Sequence, residues 1–276
     1  MVQPGSWSRE ACDRCLGQKA ARKLRAMQSL LTKLSIIAIV TMTLLGCGKA
    51  EYEQKMTGAI KNLAFTSRFI ENLHINPTEI GNGVAELRLP LYVKNTATPL
   101  TMTSRNRNRT PMSPDRIQPP SLRIPGFLYS YELFVDGSNP DDKRDKETLY
   151  LYFASVPATE KLSAIEATLK AGAAKTVPKS RPAFVDASLD TPDRKKIAFR
   201  KMSLTGTQSF NMDAGTPESE NRAGQFDVYI HSGATHHVII GVRCTAGGIE
   251  AVNAMENASY ALGTLKMLGD APQDDA

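Results

Sequence analysis

Cysteine is scarce in this chain and lies mostly near the start. Only four of the 276 residues are cysteines, and Cys12, Cys15 and Cys47 all fall within the first 47 positions. Cys12 and Cys15 form a C-x-x-C pair, but the sequence has no second pair to complete a tetrahedral zinc set. After Cys47 only Cys244 remains, so a disulfide framework within that part is excluded. We expect Cys244 to be a buried structural cysteine.

Outside the first 46 residues, neither basic nor acidic side chains are in clear excess. Residues 1–46 hold seven of the 34 basic and two of the 28 acidic side chains, which leaves 27 basic and 26 acidic side chains elsewhere. The resulting net charge of about +1 provides no electrostatic argument for nucleic-acid binding. We therefore expect no nucleic acid among the partners.

The apolar run from Leu34 to Leu45 is too short to span a membrane. As a helix it would be about 18 Å long, whereas the hydrocarbon core of a bilayer is about 30 Å thick. A basic stretch precedes the run, and Gly46 follows it. A basic stretch, an apolar stretch and a small residue in this order are typical of a secretory signal peptide.

The four residues Leu44-Leu45-Gly46-Cys47 resemble the lipobox of bacterial lipoproteins. In that family the cysteine thiol receives a diacylglyceryl group, the signal is cut before the cysteine, and the new amine is acylated. The resemblance implies that residues 1–46 are a leader and that Cys47 is a lipid attachment site. Such a lipid would anchor the protein on a membrane without a spanning segment. The alternative is a secretory signal whose cysteine is incidental.

The pattern after Cys47 predicts one α+β domain over residues 47–276, in the order α-β-β-β-α-β-β-β-α, with an antiparallel sheet flanked by helices. Apolar residues at three- and four-residue steps predict helices over 50–74 and 158–172, and again over 250–268. Strands are predicted over 84–93, 127–135 and 149–156, one or two strands over 197–210, and a hairpin over 226–243. The closing helix is expected to pack Met255, Ala258, Leu262 and Leu265 on the sheet.

Residues 95–126 form a predicted flexible insertion that is rich in Arg, Ser and Pro. Few of its residues are expected to be buried, so we interpret it as a long solvated loop or a disordered insertion. Its arginines, set against Asp115 alone, leave contact with an anionic lipid or polyanion as an alternative.

The strongest constellation of candidate site residues lies on the hairpin. If its turn is centred on Gly233 and Ala234, His231 faces His236 across the strands, with Asp227 on the same face. Two imidazoles and a carboxylate are a possible zinc set, but a slip in the strand register would separate the pair. Solvated polar histidines beside a turn are the simpler interpretation, so we expect no bound metal, no cofactor and no assigned catalytic residue.

The segment Leu87-Arg88-Leu89-Pro90, the hairpin 226–243 and the Ala-rich helix 250–268 are similar to the PsbP-like fold family, the photosystem II extrinsic proteins and their bacterial relatives. That family includes non-enzymatic accessory proteins, so the resemblance implies no catalytic residue. The Arg-rich insertion departs from the family pattern. The sequence therefore favours a lipid-anchored cell-envelope protein facing the periplasm or exterior, which acts as a binding or accessory module. The alternative is a metal-dependent hydrolase with its site on the hairpin.

Overall fold

A computed structural model describes residues 52–94, 97–105, 109, 111–112, 114–119, 122–136, 146–177, 180–211 and 219–269. Cys12, Cys15 and Cys47 therefore lie outside the described residues. The chain divides into two compact units, Met1–Ala64 and Phe65–Ala276. Residues 52–72 form helix α1, and the boundary between the units falls within it. No helix among the described residues is long and apolar enough to cross a membrane.

The second unit is built on a six-stranded antiparallel sheet. Its strands are β3 (Phe127–Asp136), β4 (Lys146–Pro157), β5 (Phe184–Asp190), β6 (Lys196–Asn211), β7 (Ser219–Ser232) and β8 (His236–Thr245). Their order across the sheet is β3-β4-β8-β7-β6-β5. The central strands β4 and β8 are buried on both faces, which explains their nearly continuous apolar and aromatic sequences.

Helices cover both faces of this sheet. Helix α3 (Leu162–Thr176) buries Ile165, Leu169 and Ala173 in the same apolar cluster as Tyr152. On the other face, α4 (Ala246–Val252) and α5 (Ala254–Gly263) belong to a second cluster, to which Leu262 contributes with 1% of its surface exposed. The predicted packing of this part of the closing helix is confirmed.

The closing helix is interrupted rather than continuous. Asn253 separates α4 from α5 with a left-handed backbone, φ 47° and ψ 45°. Asparagine tolerates this conformation better than most residues, so a single Asn changes the helix direction at low cost. Leu265 is buried after the end of α5, whereas Leu268 is 41% exposed and lies outside the core.

A smaller sheet forms beside the first. Strands β1 (Thr78–Ile80), β2 (Ala85–Leu87) and β9 (Lys266–Met267) are antiparallel in the order β1-β2-β9. The predicted strand over 84–93 therefore ends early, at Leu87. Pro90 lies in an isolated bridge with Leu73 instead, in agreement with the poor fit of proline to a strand interior.

The α+β class and the antiparallel sheets are confirmed, but the element order differs from the prediction. Among the described residues, four strands rather than three lie between α1 and α3, and four rather than three lie between α3 and α4. Strand β5 was missed because its residues are mostly exposed and its sequence, Phe184 to Asp190, contains two aspartates.

The segment 95–126 contributes to the core, contrary to our expectation that it buries little. It contains the short helix α2 (Pro114–Ile117), and Ile117 and Leu122 are fully buried while Ile124 is 4% exposed. Leu100 exchanges backbone hydrogen bonds with Ser130 of β3, at 2.7 and 2.9 Å. Ile117, Leu122 and Ile124 form no periodic pattern in the sequence, because Pro, Ser and Arg residues lie between and around them.

Candidate functional site

An open pocket of about 500 Å³ lies in the second unit, between the end of α1 and the chain that follows β2. Its floor is apolar: Leu73, Leu89, Val93 and Tyr131 contribute to it, and each is at most 8% exposed. Cavities that bind small molecules are commonly of about 300–1,000 Å³, so the size suits a ligand.

Large apolar side chains also stand at the mouth of this pocket. Ile75 is 82% exposed, Ile70 is 63% exposed and Leu91 is 48% exposed. Exposed apolar residues are ordinary when scattered, but a group of them around a cavity is typical of a binding surface. We call this group, together with the floor, the α1–β2 pocket.

Backbone and histidine hydrogen bonds fix the walls of the α1–β2 pocket. His74 N donates to Leu89 O at 2.8 Å, and Leu91 N donates to Asn72 O at 2.9 Å. The His74 ring completes this link, because its Nε2 lies 2.5 Å from Val93 O and must carry the proton to donate to a carbonyl. His74 therefore closes a wall of the pocket.

Tyr131 links the pocket floor to the aromatic core. Its ring packs edge-on against Tyr129 and Phe153, with centroid distances of 5.8 and 6.2 Å. Burial raises the pKa of Tyr131, so its hydroxyl remains a neutral donor or acceptor further into the alkaline range than that of an exposed tyrosine. Lys94 lines the same pocket and is exposed. The pocket thus combines an apolar floor with a few polar groups.

The predicted histidine pairing on the hairpin is wrong. In the observed register His231 faces Val238 and Ser232 faces His237, while Gly233 N donates to His236 O at 2.9 Å. The loop is therefore longer than the assumed two-residue turn, and the offset of two residues removes His236 from the position opposite His231.

The hairpin groups have other partners. His231 Nδ1 lies 2.9 Å from Ala198 O, while His237 contacts Ser232 Oγ at 2.9 Å and Glu160 O at 3.1 Å. Among the described residues, no group of three or more His, Cys, Asp or Glu side chains is arranged to hold a metal ion.

Asp227 is held in a compact structural network. Lys201 Nζ lies 2.8 Å from its Oδ2, Tyr229 OH donates to Oδ2 at 3.2 Å, and Gln225 donates to Oδ1 at 3.0 Å. Burial opposes the charge on Lys201, but the hydrogen bond to Asp227 raises the pKa of Lys201 overall. Burial raises the pKa of Tyr229 to about 12. The network therefore neutralises a carboxylate that is only 1% exposed.

Cys244 is fully buried, as expected. Burial, with a contribution from Glu147, raises the pKa of its thiol to about 12. A nucleophilic cysteine needs a thiolate, and the surroundings of Cys244 disfavour it.

The sequence did not predict the buried network of contacts around Arg243. Arg243 is 2% exposed, and its guanidinium lies 4.4 Å from the centroid of the Phe210 ring and 5.5 Å from that of Tyr150. Its Nε donates to Gln208 Oε1 at 2.9 Å, and its Nη2 donates to Ser209 O. These partners come from strands β4 and β6, whereas Arg243 belongs to β8, so no local sequence signal indicates them.

Comparisons with known proteins provide no family for the chain. No protein-family model and no curated protein sequence matches it. A solved structure of LpqN from Mycobacterium tuberculosis, described as involved in cell envelope biogenesis, is similar with a TM-score of 0.31 and 14% identity. The match covers 63% of this chain and 87% of LpqN. A likeness of this size supports no argument about function.

Proposed function

We propose that the chain is a lipid-anchored cell-envelope protein whose second unit is a binding or accessory module. Its ligand site is the α1–β2 pocket, and its anchor is Cys47. The observation that supports the binding role is a pocket of about 500 Å³ with an apolar floor and exposed apolar side chains around its mouth. The resemblance of Leu44-Leu45-Gly46-Cys47 to a lipobox supports the anchor.

The pocket favours a ligand with an apolar body and a small polar end. Leu73, Leu89 and Val93 offer only aliphatic contacts, whereas Tyr131 carries a hydroxyl and the exposed Lys94 carries a charge. Apolar contacts supply most of the affinity in such a site, and the few polar groups fix orientation.

A hydrolase centred on the hairpin is the weaker proposal. It needs His231, His236 and Asp227 to meet around a metal, but His231 faces Val238 and Asp227 is occupied by Lys201, Tyr229 and Gln225. No described contact favours it over the binding role.

The binding role is tested with the apolar fluorescent probe N-phenyl-1-naphthylamine. The Cys47→Ser chain, which stays free of lipid, is titrated with the probe beside the same chain carrying Leu91→Asp. The second variant should lose most of the saturable fluorescence, because a charge enters the mouth of the pocket. Val185→Asp, a matched change at a 58% exposed apolar residue of β5, should leave binding unchanged. Equal binding by all three chains would reject the pocket as the ligand site.

The anchor is tested separately. Mass spectrometry of the wild-type protein should find a lipid-modified Cys47 at the N-terminus, and Cys47→Ser should accumulate as a precursor or become soluble. An unmodified Cys47, or an intact leader on most wild-type molecules, would contradict lipid anchoring.

A further inference from the structure

Residues 52–64, the described part of the first unit, carry an apolar stripe along one helix face. Tyr52, Met56, Ile60 and Leu63 follow one another at steps of four, four and three residues, which places them on the same face. Their exposed fractions are 64%, 45%, 61% and 73%. We call these four residues the α1 stripe.

The other sides of this helical segment are polar. Gln54, Lys55, Lys61 and Asn62 lie away from the stripe at 100° per residue, and all four are exposed. Gly58 lies in the middle of the segment and weakens the helix by comparison with alanine. An amphipathic helix of this kind gains stability when its apolar face leaves water.

We propose that the α1 stripe lies on the membrane surface to which Cys47 is anchored, with the helix axis parallel to the bilayer plane. This inference rests on the proposed lipid anchor. Tyr52 is five residues after Cys47, and five fully extended residues span at most about 18 Å. A lipid on Cys47 therefore keeps the stripe within reach of the headgroup region.

The chemistry of the segment suits a lipid surface. The stripe offers aliphatic and thioether side chains for the acyl boundary, and Tyr52 has an apolar ring with a polar end, as residues at membrane interfaces often have. Lys55 and Lys61 outnumber Glu53 among the charged residues of the segment, which favours anionic headgroups.

The area of the stripe argues against a second copy of the chain as its occupant. A helical segment of 13 residues is about 20 Å long, so a stripe about 10 Å wide covers only about 200 Å². A stable protein interface buries about 800 Å² on each partner. A membrane surface needs no such minimum, because the lipid anchor already keeps the segment beside it.

Spin labels on opposite faces of the segment test the proposal in the full lipidated chain. Met56→Cys places a nitroxide on the stripe, and the matched control Gln54→Cys places one on the polar face. The label selects the introduced thiol, because lipid occupies Cys47 and Cys244 is fully buried. Each protein is reconstituted in vesicles of phosphatidylethanolamine and phosphatidylglycerol, and collisions with oxygen and with a water-soluble nickel chelate are compared.

The expected result is a contrast between the two positions. The Met56 label should collide more with oxygen, which concentrates in the bilayer, and the Gln54 label more with the nickel chelate. Nickel-dominated collisions at both positions on a lipidated, vesicle-bound chain would overturn this inference alone. Dipolar broadening of the spectrum of the Met56 label would show that two stripes lie against each other, which would overturn the membrane docking in favour of contact with a second copy of the chain. A chain with no lipid on Cys47, outside the vesicle fraction, would overturn both the anchor and the stripe docking.

Discussion

Arg243 of β8 lies over the ring of Phe210 of β6, with its guanidinium carbon 4.4 Å from the ring centroid. The two strands are not neighbours in the sheet, since β7 separates them. The contact between the two side chains therefore reaches across β7 and connects β8 with β6. Electrostatic attraction between a cation and an aromatic face is strongest where water is excluded, as it is for a 2% exposed arginine.

Arg243→Lys should lower the free energy of unfolding by about 1–3 kcal/mol. Lysine keeps the charge but cannot reproduce the fork that reaches Gln208 Oε1 and Ser209 O together, so a buried acceptor loses its partner. Urea denaturation measures the change. Arg222→Lys is the control, because Arg222 is 26% exposed and its ion pairs with Glu220 at 3.2 Å and Glu147 at 3.7 Å can be kept by a lysine, so stability should change by less than about 0.5 kcal/mol. Equal effects of the two substitutions would contradict a special role for Arg243.

Stability should fall in alkali from about pH 9 upward. Burial raises the pKa of Cys244 from 9.0 to about 12, and burial raises the pKa of Tyr229 and of Tyr152 from 10.0 to about 12. The unfolded chain loses these protons first, so the folded state binds more protons and the free energy of unfolding decreases as pH rises. Each group contributes a slope of about 1.4 kcal/mol per pH unit within its window.

Cys244→Ala separates the thiol from the tyrosines in this pH dependence. The variant lacks the group that titrates first, so the onset of the decrease should move from about pH 9 to about pH 10. Urea denaturation at a series of pH values measures the onset. An unchanged onset would show that burial of Cys244 does not control the first part of the decrease.

Leu122→Ala should destabilise the protein by about 2–5 kcal/mol, although Leu122 lies in the Arg- and Pro-rich segment. The side chain is fully buried in the same apolar cluster as Tyr152, and its removal leaves a cavity. Met102→Ala, at a 49% exposed position of the same segment, should cost little by comparison. Thermal and urea denaturation would reveal the difference, and two equally mild effects would show that the segment is peripheral.

Leu262→Ala should also cost about 2–5 kcal/mol, and Leu262→Asp should prevent folding. Leu262 is 1% exposed and lines a small apolar void with Leu151 and Val242, so a carboxylate there would be unpaired. Leu268→Asp is the control at a 41% exposed position after α5. Circular dichroism and gel filtration test the outcome. A soluble, folded Leu262→Asp protein would mean that α5 is peripheral to the core.

The sequence predicted those elements that have an apolar face or a nearly continuous apolar run. Strands β3, β4, β7 and β8 and helix α3 were predicted because one of their faces, or both, is apolar. The hairpin register was missed because it depends on the loop from Gly233 to Thr235, where a difference of one or two residues in loop length changes every pairing.

The remaining errors arise from tertiary structure. Ile117 and Leu122 were not expected in the core because no periodic pattern surrounds them, and only the fold brings them to the sheet. The α1–β2 pocket and the Arg243 network were missed for the same reason, since each combines residues that are distant in sequence. The helix around Met56 and Ile60 was predicted, but periodicity does not reveal whether an apolar face is covered.

The pairing of β2 with β9 determines when the second unit can finish folding. Ala85 pairs with Met267, and Leu268 N donates to Val84 O at 3.0 Å. Strand β2 therefore gains its second partner only when β9, near the end of the described residues, is available. Contacts between such distant positions form slowly, because loop closure costs entropy before the pairing stabilises it. The small sheet cannot close while residues 266–268 are still in the ribosome. During synthesis the small sheet therefore stays open until residues 266–268 have left the ribosome, and β2 has only β1 as a partner until then.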